Sequence, residues 1–282
     1  MSEIRLRGSE LDGLLLHYLE EGRGPATALV HGLGGFAESW RHNIPELARH
    51  GRVIALDLPG FGRSGKPRRP YTLDFLAQAL HGLLRALGVD SVRLVGHSLG
   101  GAVAARFALD HPGRVERLAF LGAAVPGFHL RPSWIYRTLS LPGLGEMLSS
   151  LITPGICATA LGRCFAHPDA EEIRFFVEHE YAARASREGR AAYLSLLRSA
   201  KDDFRLGADA YRAALARLGR GVLVVHGRED RVIPLAHARQ VADGLGVAQP
   251  RWLDRCGHFP QIEHPAAVNT YLTEFLYAPA SR

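Results

Sequence analysis

Apolar residues follow two rhythms along this chain. Short, mainly apolar runs occupy Ala26–Val30, Val53–Leu56, Val92–Val95, Leu118–Val125 and Val222–Val225, interrupted by polar residues only at Thr27 and Arg93. They lack the polar alternation of a half-exposed strand and meet glycine or proline within three residues of their ends, which predicts strands buried on both sides. Between them the apolar positions are spaced as on a helix. This predicts helices from Glu38 to His50, with Pro45 as a kink or a second start, and from Leu73 to Leu87, capped by Thr72 and stopped by Gly88. Further helices are expected from Ala102 to Asp110, Asp209 to Leu218, Pro234 to Leu245 and Pro265 to Leu276, with a strand over Arg251–Leu253. Two more strands, Ile4–Leu6 and Leu14–Leu19, flank a turn at Asp12-Gly13. Strands alternating with helices predict a parallel sheet with helices on both faces.

The alternation stops near Pro126. From there to Asp203 no run reads as a strand, and helical spacing recurs over Leu144–Leu151, Glu171–Ala185 and Arg190–Ser199. The stretch is rich in aromatics, including Trp134, Phe165, Phe176 and Tyr193. It reads as a helical insertion over one end of the sheet. The expected organisation is therefore an α/β core in two parts, 1–125 and 206–282, with a helical cap over 126–205.

Composition narrows the class. The chain has 282 residues, 47% hydrophobic and 22% charged, enough to build a substantial core. The net charge of +6 is scattered, with its densest cluster only Lys66, Arg68 and Arg69, so no nucleic-acid partner is expected. Cys157, Cys164 and Cys256 are too few and too odd for a disulfide framework, which fits a reducing compartment. No signal peptide and no membrane-length apolar run is read, so a cytoplasmic protein without stable membrane insertion is expected. No His/Cys cluster accompanies the cysteines, and neither common phosphate-loop pattern is present, so no metal and no cofactor are expected.

The chemistry concentrates in Gly96-His97-Ser98-Leu99-Gly100, a G-x-S-x-G pattern between a strand and a helix. Glycines on both sides allow strand and helix to approach, lifting the Ser98 hydroxyl clear of the sheet at the positive end of the helix. A serine so placed is a candidate nucleophile, and it requires a base held by a carboxylate. Asp230 and His258 both sit in loops just past strand ends, where parallel sheets place their sites. Asp57 and Glu229 compete for the acid, although Asp57 opens a Pro/Gly turn that it could order through the backbone. His264, before Pro265, competes for the base. His226 ends an apolar strand, and His97 flanks the nucleophile; both read as structural. Ser64 follows glycines without the strand and helix, and Cys256 reads as a packed thiol.

These pieces together resemble the α/β-hydrolase superfamily over about Leu14 to Leu276. The resemblance rests on His31-Gly32-Leu33-Gly34-Gly35, Asp57-Leu58-Pro59-Gly60-Phe61-Gly62-Arg63-Ser64, Gly96-His97-Ser98-Leu99-Gly100-Gly101, Gly227-Arg228-Glu229-Asp230 and Gly257-His258-Phe259, in that order. It implies an eight-stranded, mostly parallel sheet with a cap, and the chain order nucleophile, acid, base, met by Ser98, Asp230 and His258. Some relatives carry the acid after the preceding strand, where this chain has Gly122-Ala123-Ala124 and no carboxylate. The resemblance also implies an oxyanion hole from the backbone N–H groups of Leu33 and Leu99. A serine at 98 departs from the epoxide-hydrolase and haloalkane-dehalogenase branches, which place aspartate there.

The activity expected from this reading is hydrolysis of small to medium hydrophobic carboxylic esters through an acyl-enzyme on Ser98. The partner is then a small-molecule ester. The alternative is a carbon–carbon bond hydrolase acting on vinylogous diketones, a branch that typically has tryptophan after the base where this chain has Phe259. A lactonase, acyltransferase or perhydrolase could use the same triad. A ligand receptor that kept a slow triad is the reading from another class. Oligomeric state is not legible.

Overall fold

The computed structural model describes residues 2–8, 10–131, 133–204, 207–218 and 221–278. The strands are β1 (Ser2–Arg5), β2 (Leu15–Glu21), β3 (Ala26–Val30), β4 (Arg52–Leu56), β5 (Val92–His97), β6 (Val115–Leu121), β7 (Val222–Gly227) and β8 (Arg251–Leu253). They form one eight-stranded sheet in the order β1-β2-β4-β3-β5-β6-β7-β8. Only β2 runs against its neighbours; every pairing from β4 to β8 is parallel.

The apolar residues of these strands work as two alternating sets. In β6, Leu118 and Phe120 enter one core while Ala119 and Leu121 enter the other. β7 repeats this with Val222 and Val224 against Leu223 and Val225. The period of two along a strand makes each run serve both faces. The first core is closed by α2 (Leu73–Ala86), α3 (Leu99–Asp110) and α10 (Leu235–Gly244). The second is closed by Trp40, by α1 (Ile44–Leu47) and by α11 (Pro265–Leu276), which contributes Val268, Leu272 and Leu276.

The helix expected over Glu38–His50 is divided. One turn of 3₁₀ helix covers Ala37–Trp40, and α1 restarts with Pro45 in its first turn. Proline lacks the N–H an interior position must donate, so Pro45 marks a start rather than a kink. Thr72 caps α2 as expected, its side chain accepting from the Phe75 amide at 3.1 Å.

Between β6 and β7 lie α4 (Trp134–Leu139), α5 (Leu144–Ser150), α6 (Pro154–Gly162), α7 (Ala170–Ala185), α8 (Arg187–Asp203) and α9 (Ala208–Ala216). The sequence reading missed α4 and α6. Both are short, and their signals were the caps Ser133 and Thr153 rather than a sustained apolar period. The boundary expected at 205/206 lies outside the described residues. Among the described residues no single helix is long and apolar enough to cross a membrane; α5 and α6 pass that test only as a pair, bent by 103°.

Candidate active site

Ser98 stands between β5 and α3 with φ 53° and ψ −122°, a left-handed conformation rare for a residue with a side chain. The elbow is pinned from three directions. The Ser98 amide donates to Leu121 O at 3.1 Å, and Ser98 O accepts from Gly101 and Ala124, each at 3.0 Å. Glycine is required at two flanking positions. A Cβ on Gly100 would lie 2.1 Å from Val30 O, and one on Gly96 would lie 2.5 Å from Gly100 O.

The hydroxyl meets the two other predicted residues. His258 Nε2 lies 3.0 Å from Ser98 Oγ, and His258 Nδ1 lies 2.9 Å from Asp230 Oδ2. An ionised carboxylate only accepts, so His258 carries its proton on Nδ1 and its Nε2 accepts from Ser98. The Val232 and Ile233 amides donate to Asp230 Oδ1 at 2.8 and 2.9 Å, which fixes the carboxylate plane. Burial works against the Asp230 charge, but His258, His226 and the Ile233 amide outweigh it and hold the carboxyl below its ordinary range. All three side chains are buried.

The rivals are engaged elsewhere. Asp57 accepts from the Ala37 and Arg63 amides at 2.6 and 2.8 Å and from His17 at 2.9 Å, ordering the loop after β4. Ser64 Oγ donates to Asp57 O at 2.6 Å. Glu229 accepts from the Arg255 and Cys256 amides at 3.2 and 3.0 Å. His264 Nε2 lies 3.0 Å from Arg255 O. His226 Nε2 donates to Ile233 O at 2.9 Å and stands 3.4 Å from Asp230 Oδ2. Burial raises the Cys256 thiol, which stays protonated. Among the described residues no group of three or more His, Cys, Asp or Glu side chains is placed to hold a metal.

The loop after β3 faces the elbow. His31 Nδ1 donates to Gly32 O at 2.7 Å, its Nε2 accepts from the Leu58 amide at 2.9 Å, and Gly35 N closes a turn on Gly32 O at 3.0 Å. Leu99 is the first residue of α3, so its N–H has no intrahelical acceptor. Among the described residues the Leu33 N–H has no partner either. The two N–H groups named from the resemblance are thus free to donate.

Two supports were not read from the sequence. His97 Nε2 donates to the carbonyl of His258 at 2.8 Å. Glu263 accepts from the Gly257 amide at 2.9 Å, from Phe259 at 3.2 Å and from Ala166 at 2.8 Å, gathering the loop that carries the base. A carboxylate five residues beyond His258 was the available signal. The helical segment reaches the same loop: His258 N donates to Cys164 O at 2.7 Å, and Phe259 packs with Phe36, Phe165 and Phe176. A cleft of about 760 Å³ opens beside this cluster between α7 and the loop after β4, lined by Phe36, Asp57, Arg63 and His179. Ser98, Asp230 and His258 do not line it.

A strained serine on a strand–helix elbow, engaged by an imidazole that is itself held by a buried carboxylate, is the arrangement expected of a serine-centred α/β hydrolase. The comparisons agree. The family model described as the alpha/beta hydrolase fold matches residues 28–265, and the chain belongs to that family. Curated relatives include a 2-hydroxy-6-oxo-6-(2'-aminophenyl)hexa-2,4-dienoic acid hydrolase of Metapseudomonas resinovorans, 33% identical over 94% of this chain and 88% of the relative. A 2-hydroxymuconate semialdehyde hydrolase of a Pseudomonas species is 31% identical over 94% of this chain and 91% of the relative. Among solved structures, the 2-hydroxy-6-oxo-6-phenylhexa-2,4-dienoate hydrolase of a Rhodococcus species matches with TM-score 0.82 and 28% identity, covering 98% of this chain and 99% of that one.

These relatives correct the ester expectation. They are named as hydrolases of oxo-dienoates, the alternative weighed above, and none of them is named as a carboxylesterase. The physical reason is that Ser98, Asp230, His258 and an oxyanion pair serve any attack on a carbonyl. They do not determine whether oxygen or carbon leaves. The departure at Phe259 therefore carried too much weight.

Proposed function

We propose that this chain hydrolyses the carbon–carbon bond of a 2-hydroxy-6-oxo-hexa-2,4-dienoate, a vinylogous diketone formed by opening an aromatic ring. The observation that carries the reading is that relatives at 31–33% identity over 94% of the chain are named as hydrolases of 2-hydroxy-6-oxo-dienoates or of 2-hydroxymuconate semialdehyde. The site geometry is compatible with it at each step. The substrate's 2-hydroxyl proton moves to C5, giving the 2-oxo tautomer. Ser98 Oγ then bonds to C6 while His258 takes its proton, and the Leu33 and Leu99 N–H groups hold the oxygen as it gains charge. The C5–C6 bond breaks, and its electron pair spreads through the conjugated chain to the 2-oxygen, which takes the proton from His258. Water, activated by the same base, splits the ester on Ser98 and returns its proton. One water is consumed; a carboxylic acid and a hydroxydienoate leave.

Residues 126–205 act in this reading as a cap. Its support is the hydrogen bond from His258 N to Cys164 O and the aromatic cluster shared by Phe165, Phe176 and Phe259. The test is turnover of 2-hydroxy-6-oxo-6-phenylhexa-2,4-dienoate, followed as loss of the conjugated chromophore. Sustained turnover is expected, with a loss of about 10⁴-fold or more in Ser98→Ala and Asp230→Asn. Absence of turnover across phenyl, methyl and hydrogen substituents at C6 overturns the proposal.

A further inference from the structure

Six large apolar side chains stand exposed among the described residues, and all lie between 134 and 156: Trp134, Ile135, Leu141, Met147, Leu151 and Ile156. Trp134 is 74% exposed and Leu151 62%. Scattered single exposures are ordinary; six within one short stretch are not. α5 shows how the patch arises. The residues it buries are Gly145 and Ser149, one turn apart, while Met147 and Leu151, also one turn apart, face solvent. A surface helix normally places these two sets the other way round. α6 buries Cys157 and Leu161 beside Phe36 and Phe259 and leaves Ile156 outside.

The charges along this stretch that lack an ion-pair partner have one sign. Arg131, Arg137 and Arg163 are exposed, and among the described residues none of them has an ion-pair partner. The one acid from 126 to 163, Glu146, is held by Arg198 at 2.8 Å. A second copy of the chain fits poorly here. A twofold contact sets a patch against itself, bringing these arginines together. An anionic lipid surface offers what both features need, phosphate for the arginines and acyl chain for the apolar side chains. An amphipathic tryptophan such as Trp134 is suited to the boundary between them. The 103° bend between α5 and α6 suits a pair lying along such a surface rather than crossing it.

We propose that the face formed by α4, α5 and α6 docks the protein peripherally on anionic membranes, with Trp134, Met147 and Leu151 inserted among the headgroups. The intact chain is sedimented with vesicles of phosphatidylglycerol mixed with phosphatidylcholine, and with vesicles of phosphatidylcholine alone. Binding to the anionic vesicles, weakening as salt rises, is expected, together with a blue shift of tryptophan emission that is lost in Trp134→Phe. Binding falls about tenfold or more in Met147→Ser/Leu151→Ser, as removal of two buried apolar side chains requires. It falls similarly in Arg131→Glu/Arg137→Glu, whose substitutions leave the apolar residues untouched. Unchanged circular dichroism in both variants shows that folding is retained. Failure to bind anionic vesicles, equal binding to both vesicle types, or a dimer dispersed by Met147→Ser/Leu151→Ser would each overturn the proposal. The dimer would assign the face to a second copy.

Discussion

His97 donates from Nε2 to the main-chain carbonyl of His258 at 2.8 Å, so the residue before Ser98 holds the backbone of the histidine that faces it. The two rings lie 4.9 Å apart, and His97 also packs 5.1 Å from Phe259. Burial lowers the His97 pKa to about 3, keeping the ring neutral and sparing His258 an adjacent cation. His97→Leu removes the donor and leaves the carbonyl unpaired. It should lower kcat about 10–100-fold, the scale of small misplacements of a reacting group, with KM little changed. His97→Gln, which can present an N–H at a similar reach, should recover most of the loss. Equal losses in both variants would show that the ring's packing matters and the hydrogen bond does not.

Glu263 performs the same task from the other side of the base. Its carboxylate takes three amides, from Gly257, Phe259 and Ala166, joining the His258 loop to the helical segment. Glu263→Ala strands these donors. It should cost about 1–3 kcal/mol of stability and lower kcat as His258 loosens. Glu263→Gln keeps one acceptor and should lie between the two. Urea unfolding and kcat measured on the same preparations check this, and wild-type kcat in Glu263→Ala would remove the positioning role.

Legibility followed locality. Ser98 could be read because its motif demands a strand before and a helix after, and both are written in adjacent residues. The two-sided strands were legible as well, since a run such as Leu118–Leu121 has no polar face. Over Glu38–His50 the second start at Pro45 was legible only as one of two options, because apolar spacing does not report where the helical hydrogen bonds reset. His97 and Glu263 stayed hidden because their partners, the His258 carbonyl and three amides, are main-chain atoms that any sequence supplies. The bond broken was least legible. It depends on which group leaves a carbonyl, and the attacking residues are the same for oxygen and carbon.

Acid should destabilise the fold before it unfolds it. Burial lowers His237 to about 4 and His97 to about 3, against an ordinary value of 6.5. From pH 6.5 down to about 4 the unfolded chain therefore binds more protons than the folded one, and stability falls as pH falls. His237 accepts from the Val125 amide at 3.0 Å through Nε2, pinning the chain just beyond β6. His237→Gln can accept the same amide without titrating. Its melting temperature should decline less steeply than that of the wild type across this window. Parallel curves would place the acid sensitivity elsewhere.

The buried pair Glu180–Arg184 gives a sharper electrostatic test. Arg184 Nη1 meets Glu180 Oε1 at 2.6 Å, and its guanidinium lies 3.9 Å from the centre of the Tyr193 ring. Glu180 packs against Gly34 of the loop after β3, where a Cβ would come within 2.7 Å of its carboxylate. Burial raises the Glu180 pKa, and Arg184 opposes that shift. Arg184→Met leaves a carboxylate buried without a partner and should cost about 3–5 kcal/mol near neutral pH. A carboxyl whose pKa is raised by folding gains stability as pH falls, so part of that loss should return in acid. Glu180→Gln/Arg184→Met removes both charges and should be more stable than Arg184→Met alone. Urea unfolding of the wild type, both single variants and the double variant closes the cycle. A double variant no more stable than Arg184→Met would mean that the contact with Tyr193, rather than the ion pair, holds α7 in place.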